Sequence, residues 1–251
     1  MPRTGWGWLI TEEELRAWIL FEDERLLVVN KPAHVVVHPS KHGEWSSLIG
    51  ACRGYLGQSD LHMPTRLDRE TSGVVVIVKD ADTRRALSRA GLDGHIHKRY
   101  YAVLRGTLAE AVTVDQPIGL ATGSRVAVRR AVTPDGKPCV TRFEPVYRAR
   151  AGYTLARVTP YTGRTHQIRV HAEWLGLPIA GDKIYPDDGV FLEFLASGHT
   201  AADADRQALH AALWQCDAPS LPLAFHAPLP AAEWTHLLGI MGTDYPTIEA
   251  C

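Results

Sequence analysis

Strand-like and helical hydrophobic patterns alternate along the chain. Thr11 to Leu20 predicts a short helix: Thr11 and Glu14 have capping-box spacing, and Leu15, Trp18 and Ile19 share a face. Arg25 to Pro39 reads RLLVVNKPAHVVVHP, two strand-like apolar runs broken at Asn30-Lys31-Pro32, with Lys31 left at the end of the first. Ser46 to Leu56 predicts a small helix with Leu48, Ile49, Cys52 and Leu56 inward, flanked by loop that holds Gly43, Gly54 and Gly57. Val74 to Val78 is a buried strand. Asp82 is expected to cap a helix running to about Ala90, with Arg84, Arg85 and Arg89 on its outer face.

In the second half, KRYYAVLRG (Lys98 to Gly106) alternates with period two, which puts Tyr100, Ala102 and Leu104 on one face and Tyr101, Val103 and Arg105 on the other. Val126 to Arg150 reads as hairpins with a turn at Pro134-Asp135-Gly136. A strand from about Tyr153 to Val158 then leads through Pro160 and Gly163 into a helix. Thr165 is its expected N-cap, Gly176 lies just past its end, and Ile168, Ala172 and Leu175 form its buried stripe. Pro178 to Pro186 is expected to be loop, Phe191 to Asp205 an irregular polar insertion, and Ala208 to Cys216 a last strand. In the tail, Trp234, Leu237 and Leu238 dock a final short helix.

With 251 residues, 45% of them hydrophobic, the chain can bury a sizeable core. Its net charge of -1 gives no whole-molecule sign of a polyanion partner, so nucleic-acid binding would rest on local patches. One such patch is present. Arg125, Arg129, Arg130, Lys137, Arg142, Arg148 and Arg150 make the middle cationic, while acid gathers in Asp182 to Asp205. Cys52, Cys139, Cys216 and Cys251 are far apart and form no CxxC, which argues against a disulfide framework or a cysteine zinc site and for a reducing cytoplasm. No apolar run approaches the roughly 20 residues that span a bilayer, and Glu12, Glu13 and Glu14 sit where a signal peptide would be apolar.

The candidate chemistry centres on PTRLDRETSG (Pro64 to Gly73). Asp68 lies between Arg66 and Arg69, and neighbouring cations lower a carboxylate pKa, so it stays ionised. Gly73 permits a sharp turn, and the strand behind it anchors the loop, the usual placement of a catalytic group. A surface ion pair beside a tight turn would write the same letters. Tyr100 and Tyr101 beside Lys98 and Arg99 suit single-stranded nucleic acid, although strand tyrosines are also common core residues. Arg164 falls just before a helix, placed to reach outward. His166 and His171 are five apart, poor spacing for two metal ligands on one helical face.

Taken together, VNKPAHVVVHPS, RLDRETSG, KRYYAVLRG, GRTHQIRVHAEWLGLPIAGDKIYP and ALHAAL resemble, in order, the RluA-type pseudouridine synthases, from about Leu27 to Leu229. The resemblance implies an α+β (mixed α/β) fold with a long, mainly antiparallel sheet, flanking helices and a central active-site cleft. It implies isomerisation of uridine to pseudouridine in transfer or ribosomal RNA, without cofactor or metal and with no obligate protein partner. The family's essential aspartate falls on Asp68, its stacking tyrosine on Tyr100 and its cleft arginine on Arg164. Arg66 matches the residue that helps displace the target nucleotide, and Leu209 the apolar floor of the uracil pocket. Where the family often writes HRLD, this chain has Thr65 before Arg66. Residues 1–22 are expected to form an N-terminal helical extension and 23–251 the catalytic domain, with no appended S4 domain. Two other classes would also account for parts of this sequence: a non-catalytic RNA-binding module on the same fold, and a metal hydrolase drawing on some of the 12 histidines.

Overall fold

The computed structural model describes residues 3–4, 7–38, 46–149, 151–185, 187–198 and 202–239; Gly43, Arg150 and Cys251 lie outside them. The chain divides into two compact units. Unit 1 is Met1–Lys98 with Ala211–Leu229, and unit 2 is Arg99–His210 with Pro230–Cys251.

Unit 1 begins with a pair of two-residue strands, β1 (Arg3–Thr4) and β2 (Gly7–Trp8). The expected capping box starts α1 (Glu12–Trp18): Thr11 Oγ1 accepts from the Glu14 amide, and Glu14 Oε2 accepts from the Thr11 amide. The helix stops two residues earlier than expected, because Ile19 and the apolar residues after it pair instead as β3 (Ile19–Glu22) along β4 (Leu26–Lys31). Antiparallel to β4 on its other side runs β5 (Ser72–Val78), from Leu26 opposite Val78 to Lys31 opposite Gly73. Every residue of β5 is buried. That explains a strand that reads as an unbroken apolar run rather than an alternation.

The second valine run, Val35 to Val37, is not a strand. Its backbone has another use: the carbonyls of Val36 and Val37 accept from the amides of Leu48 (2.8 Å) and Ile49 (3.1 Å), donors that the first turn of a helix leaves free. That helix is α2 (Leu48–Leu56), capped by the Ser47 hydroxyl and closed by Gly57 at φ +62°. Leu48, Ile49 and Cys52 point inward as expected, while Leu56 is half-buried. Gly54 belongs to the helix and not to its flanking loop. The cap of α3 (Ala81–Leu92) is Asp80, whose carboxylate accepts from the amides of Asp82 and Thr83, and not Asp82. The buried face is Thr83, Leu87 and Ala90, with Arg85 and Arg89 exposed opposite.

The chain passes into unit 2 along β6 (Ile96–Arg105). There β6 pairs with β11 (Tyr153–Pro160), β11 with β10 (Val140–Arg148), and β10 with β7 (Val112–Asp115), all antiparallel. A separate hairpin joins β8 (Ile118–Leu120) to β9 (Arg130–Val132). The turn expected at Pro134-Asp135-Gly136 is present, with the Gly136 amide donating to the Thr133 carbonyl. Helix α4 (Gln167–Trp174) packs Val170 into a core cluster with Ile118, Cys139, Ile184 and Tyr185. Residues 188–197, expected to be part irregular insertion, form helix α5 (Asp188–Ser197), with Asp187 as N-cap and Gly198 at φ +72°. Phe191 and Leu192 lean on that same cluster, yet no residue of α5 is fully buried.

Strand β12 (Leu209–Cys216) returns the chain to unit 1, where it neighbours β5 and pairs with β13 (Leu223–His226). Trp214 stacks on Phe225 there, with centroids 6.2 Å apart. Helix α6 (Ala231–Leu238) buries Trp234, Leu237 and Leu238, as expected. The fold class anticipated from the sequence, mixed α/β with a mainly antiparallel sheet, is the one observed.

Candidate active site

The Asp68 turn is built into unit 1 from below. Leu67 is buried, while Arg66 and Arg69 on either side of the Leu67–Asp68 pair are exposed and Asp68 itself is half-buried. The Thr71 amide donates to the Asp68 carbonyl at 3.1 Å, closing the turn. Beneath it lies Lys31, fully buried at the end of β4. Its Nζ donates to the carbonyls of Pro32 (2.9 Å), Val35 (3.0 Å) and Arg69 (3.1 Å). A buried ammonium must be matched by acceptors, and these include backbone carbonyls on both sides of the site. The sequence reading placed Lys31 at a strand end without a role. The signal available was a lysine fixed between an apolar strand and a proline.

Gly73 closes the turn at φ +114°. A Cβ there would overlap the backbone of Ala211 in β12, so the glycine answers both a backbone conformation and a close strand approach. The two exposed arginines beside Asp68 each make a long contact: Arg69 Nε donates to the His34 carbonyl (3.4 Å), and Arg66 Nη1 lies 3.4 Å from His38 Nε2. Burial, aided by the charges of Arg66 and Arg53, holds His38 below the ordinary imidazole range, which keeps Nε2 available as an acceptor.

Unit 2 carries the other three predicted residues. Tyr100 is buried in β6 at 8% exposure, opposite Val158 of β11. Leu209 is buried at the start of β12, and its carbonyl accepts from Arg206 Nη1 at 3.4 Å. Arg164 is exposed, on the loop between β11 and α4, with Nε donating to the Pro138 carbonyl at 3.3 Å.

Thr165 does not cap α4. The N-cap is His166, at φ +58° and without a side-chain capping bond. Gln167 braces the loop instead. Its Oε1 accepts from the Arg164 amide (2.9 Å) and the Thr162 hydroxyl (2.8 Å), and its Nε2 donates to the Val140 carbonyl and Thr141 Oγ1 (both 2.9 Å). Both histidines of this stretch have structural partners: His166 Nδ1 meets the Tyr185 hydroxyl at 3.1 Å, and fully buried His171 lies between Thr141 Oγ1 and the Gln116 carbonyl. Among the described residues, no three or more His, Cys, Asp or Glu side chains are grouped to hold a metal ion, and no helix is long and apolar enough to cross a membrane.

A half-exposed carboxylate on a rigid turn, in a mainly antiparallel α/β fold with exposed arginines, defines a site for acid, base or nucleophilic work on an anionic substrate. The family model for RNA pseudouridylate synthase matches residues 25–174, and the chain belongs to that family. It is 39% identical over 219 residues to a protein of Bacillus subtilis called uncharacterized RNA pseudouridine synthase YjbO, a match covering 84% of this chain and 72% of the relative. Ribosomal large subunit pseudouridine synthase D of Haemophilus ducreyi is 33% identical over 239 residues, covering 90% of this chain and 71% of that one. Among solved structures, human RNA pseudouridylate synthase domain containing 1 superposes with a TM-score of 0.68 at 26% identity, covering 84% of this chain and 83% of that one. The RluA-type resemblance is thereby borne out, and the chain is an enzyme that isomerises uridine in RNA to pseudouridine.

Proposed function

We propose that the substrate is ribosomal RNA and that Asp68 carries the chemistry. The names of relatives such as ribosomal large subunit pseudouridine synthase D of Haemophilus ducreyi support ribosomal over transfer RNA. What carries the assignment of Asp68 is its setting: a half-exposed carboxylate on a turn that fully buried Lys31 and Gly73 hold rigid. In this reading the target uridine leaves its stack, which costs a few kcal/mol and least in a loop. Arg66 fills the vacated space, Tyr100 stacks on the everted base, and Leu209 floors its pocket. Arg164 supplies the counter-charge that keeps the carboxylate ionised.

The Asp68 carboxylate attacks C1′ or removes the 2′ proton, and the N1–C1′ bond breaks. Uracil turns while held, C5 bonds to C1′ as the Asp68 oxygen leaves C1′ or the proton returns to C2′, and the C5 proton is lost as N1 gains one. Residues 23–251 serve as the catalytic domain, and no cofactor takes part. Pseudouridine mapping in ribosomal and transfer RNA, from cells with and without the protein, tests the substrate. A ribosomal position that disappears with the protein and returns with it supports this reading, and a change confined to transfer RNA contradicts it.

A further inference from the structure

Unit 1 contains a pocket of about 310 Å³, of whose lining the proposed mechanism uses Arg66 alone. That is near the lower limit of roughly 300 Å³ for small-ligand sites. Ile49, Leu61 and Met63 give it an apolar wall, and Arg53, Arg66 and His38 bring polar and cationic groups to it. Arg53 comes from the last turn of α2, and its Nε is buried without a hydrogen-bond partner. A buried donor left unmatched is costly and rare in folded proteins, and the side chain that carries it also lines the pocket, where a ligand brings acceptors to it. Arg66 shares the turn of Asp68, and two residues of chain span at most about 7 Å. An occupant of the pocket therefore touches the same turn that carries Asp68.

We propose that this pocket binds one nucleotide of the RNA adjacent to the target uridine, with its phosphate on Arg53 and its base against Ile49, Leu61 and Met63. The inference rests on the reading of the chain as an RNA-modifying enzyme and adds a substrate subsite to it. A cationic wall suits a phosphate and an apolar wall suits a base face, the combination that single-stranded nucleic acid requires. An acidic peptide would match the first wall and not the second.

The test uses unmodified large-subunit ribosomal RNA transcribed in vitro. Binding is measured across a salt series with the full chain carrying Asp68→Asn, alone and combined with Arg53→Gln or Arg53→Lys, so that no turnover intervenes. Turnover is measured in parallel with Asp68 intact. Arg53→Gln should weaken binding about tenfold and reduce the slope of log K against log salt by about one, as loss of one phosphate contact does. It should raise KM with kcat within about twofold, a split that a merely structural role would not give.

Arg53→Lys keeps the charge and loses Nε. It should retain the slope and bind about threefold more weakly, and it carries the test if Arg53→Gln fails to fold. Wild-type affinity and slope in either folded variant would overturn the subsite. Absence of turnover by the unaltered chain would overturn the ribosomal RNA reading instead, and the salt slope would still judge the pocket.

Discussion

The Asp68 turn and the Arg164 loop each present one proposed site residue, but they are held by opposite means. Below Asp68, a fully buried ammonium gathers three carbonyls, and Gly73 lets β5 run against β12 with no room for a methyl group. Beside Arg164, a neutral amide makes four hydrogen bonds, and the adjoining His166 is left in a left-handed conformation without a capping bond. The carboxylate proposed to meet a specific sugar atom stands on the turn that the buried charge holds. The arginines, Arg66 and Arg164, are exposed side chains able to follow the RNA. Precision and reach are thus divided between rigid backbone and long side chains.

Breaking the stiff support should cost most. Gly73→Ala forces a Cβ into the Ala211 backbone at a positive φ and should lower stability by about 3 kcal/mol or more, read from the urea midpoint. Unchanged stability would mean that the close strand approach is not obligatory. Lys31→Met leaves three carbonyls, one buried and two partly buried, without this donor and should cost about 2–3 kcal/mol, with turnover falling further than RNA binding because the Arg69 carbonyl is released.

Removing the amide brace should cost less. Gln167→Ala is expected to lower stability by about 1–2 kcal/mol and to reduce kcat/KM about tenfold as Arg164 loses its anchor, both measurable on one preparation. Smallest is a pH effect at His171. Burial lowers its pKa below the usual 6.5, so the unfolded chain binds the proton first, and stability present above about pH 6.5 declines as the pH falls. Thermal unfolding between about pH 7 and 5 should show that decline, diminished in His171→Gln.

The sequence was most legible where a local rule acts alone. Thr11 with Glu14 announced the capping box, Val74 to Val78 the central strand, and Pro134-Asp135-Gly136 its turn. It misled where two rules compete. Val35 to Val37 have strand letters, but their carbonyls serve the first amides of α2. Asp80 and Asp82 are both good caps, and the earlier one won.

Helix α5 has Asp187 and Gly198 at its ends, yet Val190, Phe191, Leu192 and Phe194 are only half-buried and Leu195 is exposed, without the strong contrast of faces that marks an amphipathic helix. Around the site, Asp68, Arg66 and Arg164 stood out as charges in turns. Their supports did not, because Lys31 and Gln167 act through contacts to distant backbone, which no spacing rule records.

The claim on which the rest depends is that Asp68 performs the isomerisation. Tritium release from ribosomal RNA transcribed with 5-tritiated uridine tests it most directly. The unaltered chain should release tritium in step with pseudouridine formation. Asp68→Asn should release none above background while binding the same RNA within a few fold. Release by Asp68→Asn at the wild-type rate would contradict the account.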